Sequence, residues 1–175
     1  MGSWCRGLTC LPVTEEIAGS NPVGPAKHRH FVRNAFSFAN IITMSGYSST
    51  PLAGKVGLTK ASFLCVLHAP ENYKQLLPYY YRNMATSLEN EYDWMHAFYT
   101  DSNELEKEFP RLKEHLSSAG QLWISWPKKA SKIETDLNEN IIRGIGLANG
   151  LVDVKVAAID NRWSGLKFVY RLKDR

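Results

Sequence analysis

The chain has 175 residues, of which 44% are hydrophobic, 11% aromatic and 22% charged, with 21 basic against 17 acidic side chains. Those proportions fit an ordinary globular protein and exclude a disordered tail, a fibre or a membrane protein. A formal charge of +4, with its lysines and arginines scattered, does not argue for nucleic acid, and no apolar run approaches the roughly 20 residues needed to span a bilayer.

Residues 1–43 read differently from the rest. Gly, Pro, Asn and Ser cluster at Ala18-Gly19-Ser20-Asn21-Pro22-Val23-Gly24-Pro25-Ala26, with no helix or strand period on either side. Gly19-Ser20-Asn21-Pro22 can be encoded as GGT-TCG-AAT-CC, the T-arm and T-loop of most transfer RNA genes. Trp4 to Ala26 then spans 69 nucleotides, close to the length of such a gene. The expectation is a non-native or disordered extension over 1–43, a native start at Met44 and a single α/β domain over 44–175. Cys5, Cys10 and the His28-x-His30 pair then leave the inventory, so no metal site is expected, and no Cys/His cluster has zinc spacing. The basic stretch from Lys27 lacks the layout of a secretory signal, and a cytoplasmic product is expected.

From Met44 onward, strand-like and helix-like segments alternate. Ser62 to His68 is an apolar run suited to a strand buried on both faces. Glu71 to Tyr80 has helical spacing, with Pro70 fitted to its first turn. The segment 82–90 is left open between loop and short strand. Asp93 to Tyr99 is an aromatic-rich strand. Asp101-x-x-Glu104 has capping-box form and opens a helix carrying Leu105, Phe109, Leu112 and Leu116, closed by Gly120. Pro110 is expected to kink or split it.

Gln121 to Trp126 is the third strand. Asp136-x-x-Glu139 opens a further helix with Leu137, Ile141, Ile145 and Ala148 inward and Gly150 closing it. Leu151–Ile159 and Leu166–Leu172 alternate apolar and polar residues and form an antiparallel hairpin. Strand-helix alternation with right-handed crossovers predicts a mostly parallel sheet covered by helices on both faces.

In such sheets ligands lie outside the carboxyl ends of the strands. The loops there are His68–Glu71, Thr100–Ser102 and Trp126–Ser131. In the third, Lys128 and Lys129 offer charge to a phosphate or carboxylate, Ser131 a hydroxyl, and Trp126 a stacking face. The alternative is a core-capping tryptophan with solvated lysines. His68 and Asp101 make an acid–base pair if their strands are adjacent; otherwise His68 is a hydrogen-bonded structural residue. Trp163 is either a packing lid or an exposed contact. Cys65, within a strand, reads as an inert thiol. Gly144-x-Gly146 and Gly150 sit at the end of a helix, the wrong pole for a dinucleotide, and read as packing and capping glycines. Gly54-Lys55 lacks the earlier glycine of a P-loop.

Gly46-Tyr47-Ser48-x-Thr50-Pro51-Leu52-Ala53-x-Lys55-x-Gly57, Trp126-Pro127-Lys128-Lys129-Ala130-Ser131, Thr135-Asp136-Leu137 and the Gly150–Leu166 segment with Trp163-Ser164-Gly165 together resemble a small bacterial domain-of-unknown-function family. The resemblance spans Met44 to the C-terminus and implies a compact α/β protein with no assigned activity. The order of elements also looks like the C-terminal half of a Rossmann-type methyltransferase. That implies a Rossmann-like three-layer sandwich whose mostly parallel sheet ends in the antiparallel hairpin. His68-Ala69-Pro70-Glu71-Asn72 stands where that superfamily has its glycine-rich cofactor loop, so no cofactor is expected. The expected function is a non-catalytic module that binds a small anionic ligand or a protein partner. The alternative is a degenerate methyltransferase-like enzyme with His68 and Asp101 near the reacting centre, and a further reading is a homodimer built on Tyr79–Tyr81 or the hairpin.

Overall fold

The computed structural model describes residues 50–58 and 61–175. The expected extension over 1–43, the start at Met44 and the Gly46-Tyr47-Ser48 motif lie outside the described residues. The elements are α1 (Leu52–Val56), β1 (Leu64–Leu67), α2 (Tyr73–Leu76), α3 (Pro78–Tyr81), β2 (Met84–Ala85), β3 (Tyr92–Phe98), α4 (Ser102–Glu114), β4 (Leu116–Pro127), α5 (Glu139–Ala148), β5 (Leu151–Ala158) and β6 (Trp163–Tyr170). The strands form a six-stranded sheet in the order β2-β1-β3-β4-β6-β5. Strands β2, β1, β3 and β4 run parallel, and β6 lies antiparallel between β4 and β5. This is the expected α/β, Rossmann-like three-layer arrangement.

Because successive residues of a strand point to opposite faces, the buried runs divide into two cores. Cys65, Leu67, Met95, Ala97, Leu122, Ile124 and Phe168 pack beneath α4 and α5. Leu64, Val66, Trp94, Phe98, Trp123 and Trp163 pack beneath α1 and α2. The carbonyl of Val56, at the end of α1, accepts both the Trp94 and the Trp123 indole N–H, at 2.9 and 3.0 Å. A helix-end carbonyl that would otherwise be buried without a partner thus anchors α1 to the middle of the sheet. No helix among the described residues is long and apolar enough to cross a membrane.

Several boundaries differ from expectation for physical reasons. The helix expected over 71–80 is two short helices: Pro78 brings no N–H and pushes Leu77 to an extended φ of −136°. Pro78, not Pro70, holds the first-turn position. Segment 82–90 does contribute the short edge strand β2. Helix α4 is one helix despite Pro110, and Leu105, Phe109 and Leu112 form its buried stripe. It stops at Glu114 rather than at Gly120, and Leu116 already belongs to β4.

Gly120 instead sits in a bulge: Tyr92 faces Leu116 while Trp94 faces Gln121. A Cβ at Gly120 would lie 2.8 Å from both Leu116 Cδ1 and Ser117 Oγ, so the bulge requires glycine. The N-cap of α5 is Asn138, whose side-chain oxygen accepts from the amides of Asn140 and Ile141. Asp136 crosses to α4 and accepts from the Ser102 amide at 2.9 Å and from the Ser102 hydroxyl. With the helix starting later, the buried stripe is Ile142 and Gly146, while Ile141 and Ala148 face outward. Gly150, at φ 82°, closes α5 as expected.

At α4 the expected cap holds, with Asp101 accepting from the Glu104 amide at 2.9 Å. Asp101→Ala is expected to lower stability by about 1 kcal/mol, read as a lower urea midpoint at unchanged slope.

Candidate functional site

Strands β1, β3 and β4 end at one edge, and antiparallel β6 begins there, with Trp163 paired to Pro127. From β1 the chain moves one way to β2 and the other way to β3 and β4. The switch point, where ligands settle in doubly wound sheets, therefore lies between β1 and β3. His68, Asp101, Trp126, Lys128, Lys129, Ser131 and Trp163 all stand on this rim, but they do not converge on one centre.

At the switch point itself, His68 follows β1 with φ 53°, a left-handed conformation that non-glycine residues rarely take. Its Nε2 lies 3.3 Å from Glu108 Oε2 on α4, and its ring centroid lies 5.3 Å from that of Tyr99, at the end of β3. The Tyr99 hydroxyl donates to the same Glu108 oxygen at 2.6 Å. This hydroxyl, aided by His68, holds the Glu108 carboxyl below its ordinary range. Burial and the carboxylate drive the Tyr99 hydroxyl well above its own. Glu104 stands one turn earlier on α4. The expected His68–Asp101 pair is not formed: Asp101 caps its own helix, accepting from the Glu104 amide. The partner is Glu108, legible in the sequence only as a carboxylate four residues after Glu104, on the same helix face.

The other half of the rim is a structural lock. The Lys128 ammonium donates to the Asp160 carbonyl at 2.6 Å, and the Lys128 amide to the Arg162 carbonyl at 2.7 Å. Ser131 Oγ donates to the Lys128 carbonyl and accepts from the Ile133 amide. Asp160 accepts from the amides of Arg162 and Trp163, and its second oxygen from Asn72. Trp126 is 8% exposed and caps the core instead of offering a stacking face. Trp163 is a packing lid, its ring edge-on to Phe98. Of the two lysines, Lys129 stays exposed. Tyr79, exposed at the start of α3, borders an open depression with Pro78, Arg82 and Asn83.

Below the rim lies a chain of polar groups that the sequence reading missed. His96 Nδ1 is 2.6 Å from the Tyr73 hydroxyl and its Nε2 is 2.6 Å from Ser125 Oγ. All three residues are fully buried. Burial lowers His96 to about 3. The chain has the composition of a nucleophile–base pair, yet no solvent reaches it, and it serves as a satisfied polar strut between α2, β3 and β4. The signal lay in strand parity, which places His96 with Trp94 and Phe98 on the inner face. Burial likewise pushes the Cys65 thiol up to about 12, making it the inert thiol expected.

No family model matches the chain, and no curated protein matches it in sequence. Among solved structures it is similar to magnesium protoporphyrin IX methyltransferase from Synechocystis PCC 6803 with SAH bound, at 11% identity over 69% of this chain and 80% of that one, with a TM-score of 0.47. A S-adenosylmethionine-dependent methyltransferase from Clostridium acetobutylicum ATCC 824 is 10% identical over 62% and 75% of the two chains, at 0.44. A ribosomal protein L11 methylase from Lactobacillus delbrueckii subsp. bulgaricus is 14% identical over 69% and 77%, at 0.43. Of five further similar structures, one of them the same Synechocystis enzyme with SAM bound, the chain covers 42 to 60%.

Proposed function

We propose that the protein is an enzyme of degenerate methyltransferase-like type, binding a small ligand over the β1–β3 edge and moving a proton there. The observation that carries this reading is the meeting of His68, Glu108 and Tyr99 at the switch point of the sheet. An imidazole backed by a carboxylate, itself oriented by a tyrosine, is the arrangement that general acid–base chemistry needs.

The residues after β1 do not fit adenosylmethionine. Side chains of His68, Pro70 and Asn72 occupy the turn where glycines would let a cofactor approach the backbone. Asn72 is also tied to Asp160 at 2.9 Å, and α2 is a four-residue helix, too short to offer a phosphate or carboxylate site. No step is assigned to that cofactor. Non-catalytic anion binding through Trp126, Lys128, Lys129 and Ser131 is the weaker reading, since Lys128, Ser131 and Trp126 are already engaged by the protein.

A metabolite library followed by NMR chemical-shift mapping tests this. Ligands are expected to perturb His68, Tyr99 and the start of α4, and to lose affinity at least 10-fold in His68→Ala. Hits confined to residues 128–132 restore the anion-binding module, and hits confined to Tyr79 point to a surface partner; either result overturns the proposal.

A further inference from the structure

From the side chains gathered at this edge, we infer that His68, Glu104 and Glu108 form a binding site for a first-row divalent transition metal ion. The inference rests on the proposed use of the rim and gives His68 a specific task within it. One ligand atom from each residue lies within 4.8 Å of the others. Donor atoms sharing one ion at bond lengths near 2.1 Å stand about 3 to 3.5 Å apart. His68 Nε2 and Glu108 Oε2 already meet this at 3.3 Å, and Glu104 needs only a rotamer adjustment on an exposed helix face.

Two carboxylates one turn apart on a helix repel each other. Among the described residues neither forms an ion pair with a lysine or arginine; Glu108 is paired with His68 and also feels the Arg111 charge. A divalent cation supplies more positive charge than these two neighbours. One imidazole with two carboxylates suits zinc, manganese or iron(II), whereas magnesium and calcium prefer all-oxygen shells. Tyr99, donating to Glu108 at 2.6 Å, is the outer-shell partner that orients a ligating carboxylate. Three protein ligands on an open rim leave coordination positions for water and a small ligand. A water held there would be more acidic than in bulk, so with the ion bound it would supply the proton that His68 and Glu108 exchange in its absence.

The test is calorimetric titration of metal-stripped full-length protein with zinc and with manganese, together with the His68 ring-nitrogen NMR shifts in zinc. The expected result is a site that His68→Ala and Glu104→Gln each weaken at least 10-fold and Tyr99→Phe weakens about 10-fold. Lys129→Ala should leave it unchanged, magnesium should not compete, and the His68 Nε2 resonance should shift on zinc binding. Cys5, Cys10, His28 and His30 are potential ligands elsewhere in the chain, so stoichiometry alone does not decide. Equal affinity in the His68→Ala/Glu104→Gln double variant, or no binding at millimolar metal, overturns the inference. Repeating the metabolite mapping with chelator present separates the two proposals: ligands that still map to His68 without metal binding sink this one and leave the enzyme reading standing.

Discussion

Gly146→Ala is expected to destabilise the protein by about 2 kcal/mol or more, although alanine is the better helix former. A Cβ at this position would lie 2.1 Å from Phe168 Cε1, 2.6 Å from Cζ and 2.7 Å from Cδ1. Phe168 cannot swing away: it is fully buried and its ring packs edge-on against Phe109 at 5.7 Å. Overpacking of this kind costs about 1 to 3 kcal/mol and sometimes more, which outweighs the roughly 1 kcal/mol that alanine gains in helix propensity.

The control lies one half-turn away. A Cβ at Gly144 meets nothing within 4 Å, so Gly144→Ala should raise stability by up to about 1 kcal/mol. Chemical denaturation of both variants checks the contrast, and Phe168→Leu in the Gly146→Ala background should recover part of the loss. Equal effects of the two alanines would mean that α5 does not pack on β6 as described.

Lowering the pH from about 6.5 towards 3 should destabilise the fold through His96, by up to about 1.4 kcal/mol per pH unit. In the unfolded chain this imidazole takes up its proton near its ordinary value of 6.5, whereas burial holds the folded value at about 3. Between those limits the unfolded state binds the extra proton, so stability rises with pH across the window and levels off above it. Protonation is resisted because burial leaves no solvent to share the charge, and the partners at 2.6 Å, the Tyr73 hydroxyl and Ser125 Oγ, are neutral.

The carboxyls held low in the folded state, Glu108 and Asp136, have ordinary values of 4.5 and 3.8. Their losses therefore set in at the acid end, below the interval from 6.5 to 5, and comparison with a His96 variant isolates this histidine from the others. Urea titrations across that interval should show the slope reduced by about one proton in His96→Gln, which can still bond both hydroxyls. An unchanged slope would place the charge elsewhere.

Asp101 shows how far local chemistry reaches. Its capping role needs only the Glu104 amide three residues ahead, and it could be read without the fold. The same reasoning misassigned Asp136: the cap of α5 went to Asn138, and the Asp136 carboxylate found the amide of Ser102, 34 residues away in sequence. Gly120 had the look of a helix terminator because bulge glycines and helix-end glycines share a composition. Only the pairing of β3 with β4 distinguishes them.

The candidate centre divides in the same way. His68 was legible because a histidine at the end of a buried run must fall on the carboxyl edge. Glu108 was not, since nothing in a helix pattern says which exposed carboxylate faces a neighbouring strand end. Trp126, Lys128 and Ser131 stood out by their rarity as a cluster, and the fold uses Lys128 to hold the hairpin loop, Ser131 to hold Lys128 and Trp126 to cap the core.

What the residue order settled unaided was the alternation of strands and helices, the hairpin at the end and the inertness of Cys65. Each follows from burial periodicity or from short-range hydrogen bonding, which act over a few residues. Tertiary structure alone decided that β6 enters between β4 and β5, that His96 is buried between two hydroxyls, and that His68 meets Glu108 rather than Asp101. Those outcomes depend on which surfaces exclude water together, and that is a property of the packed chain.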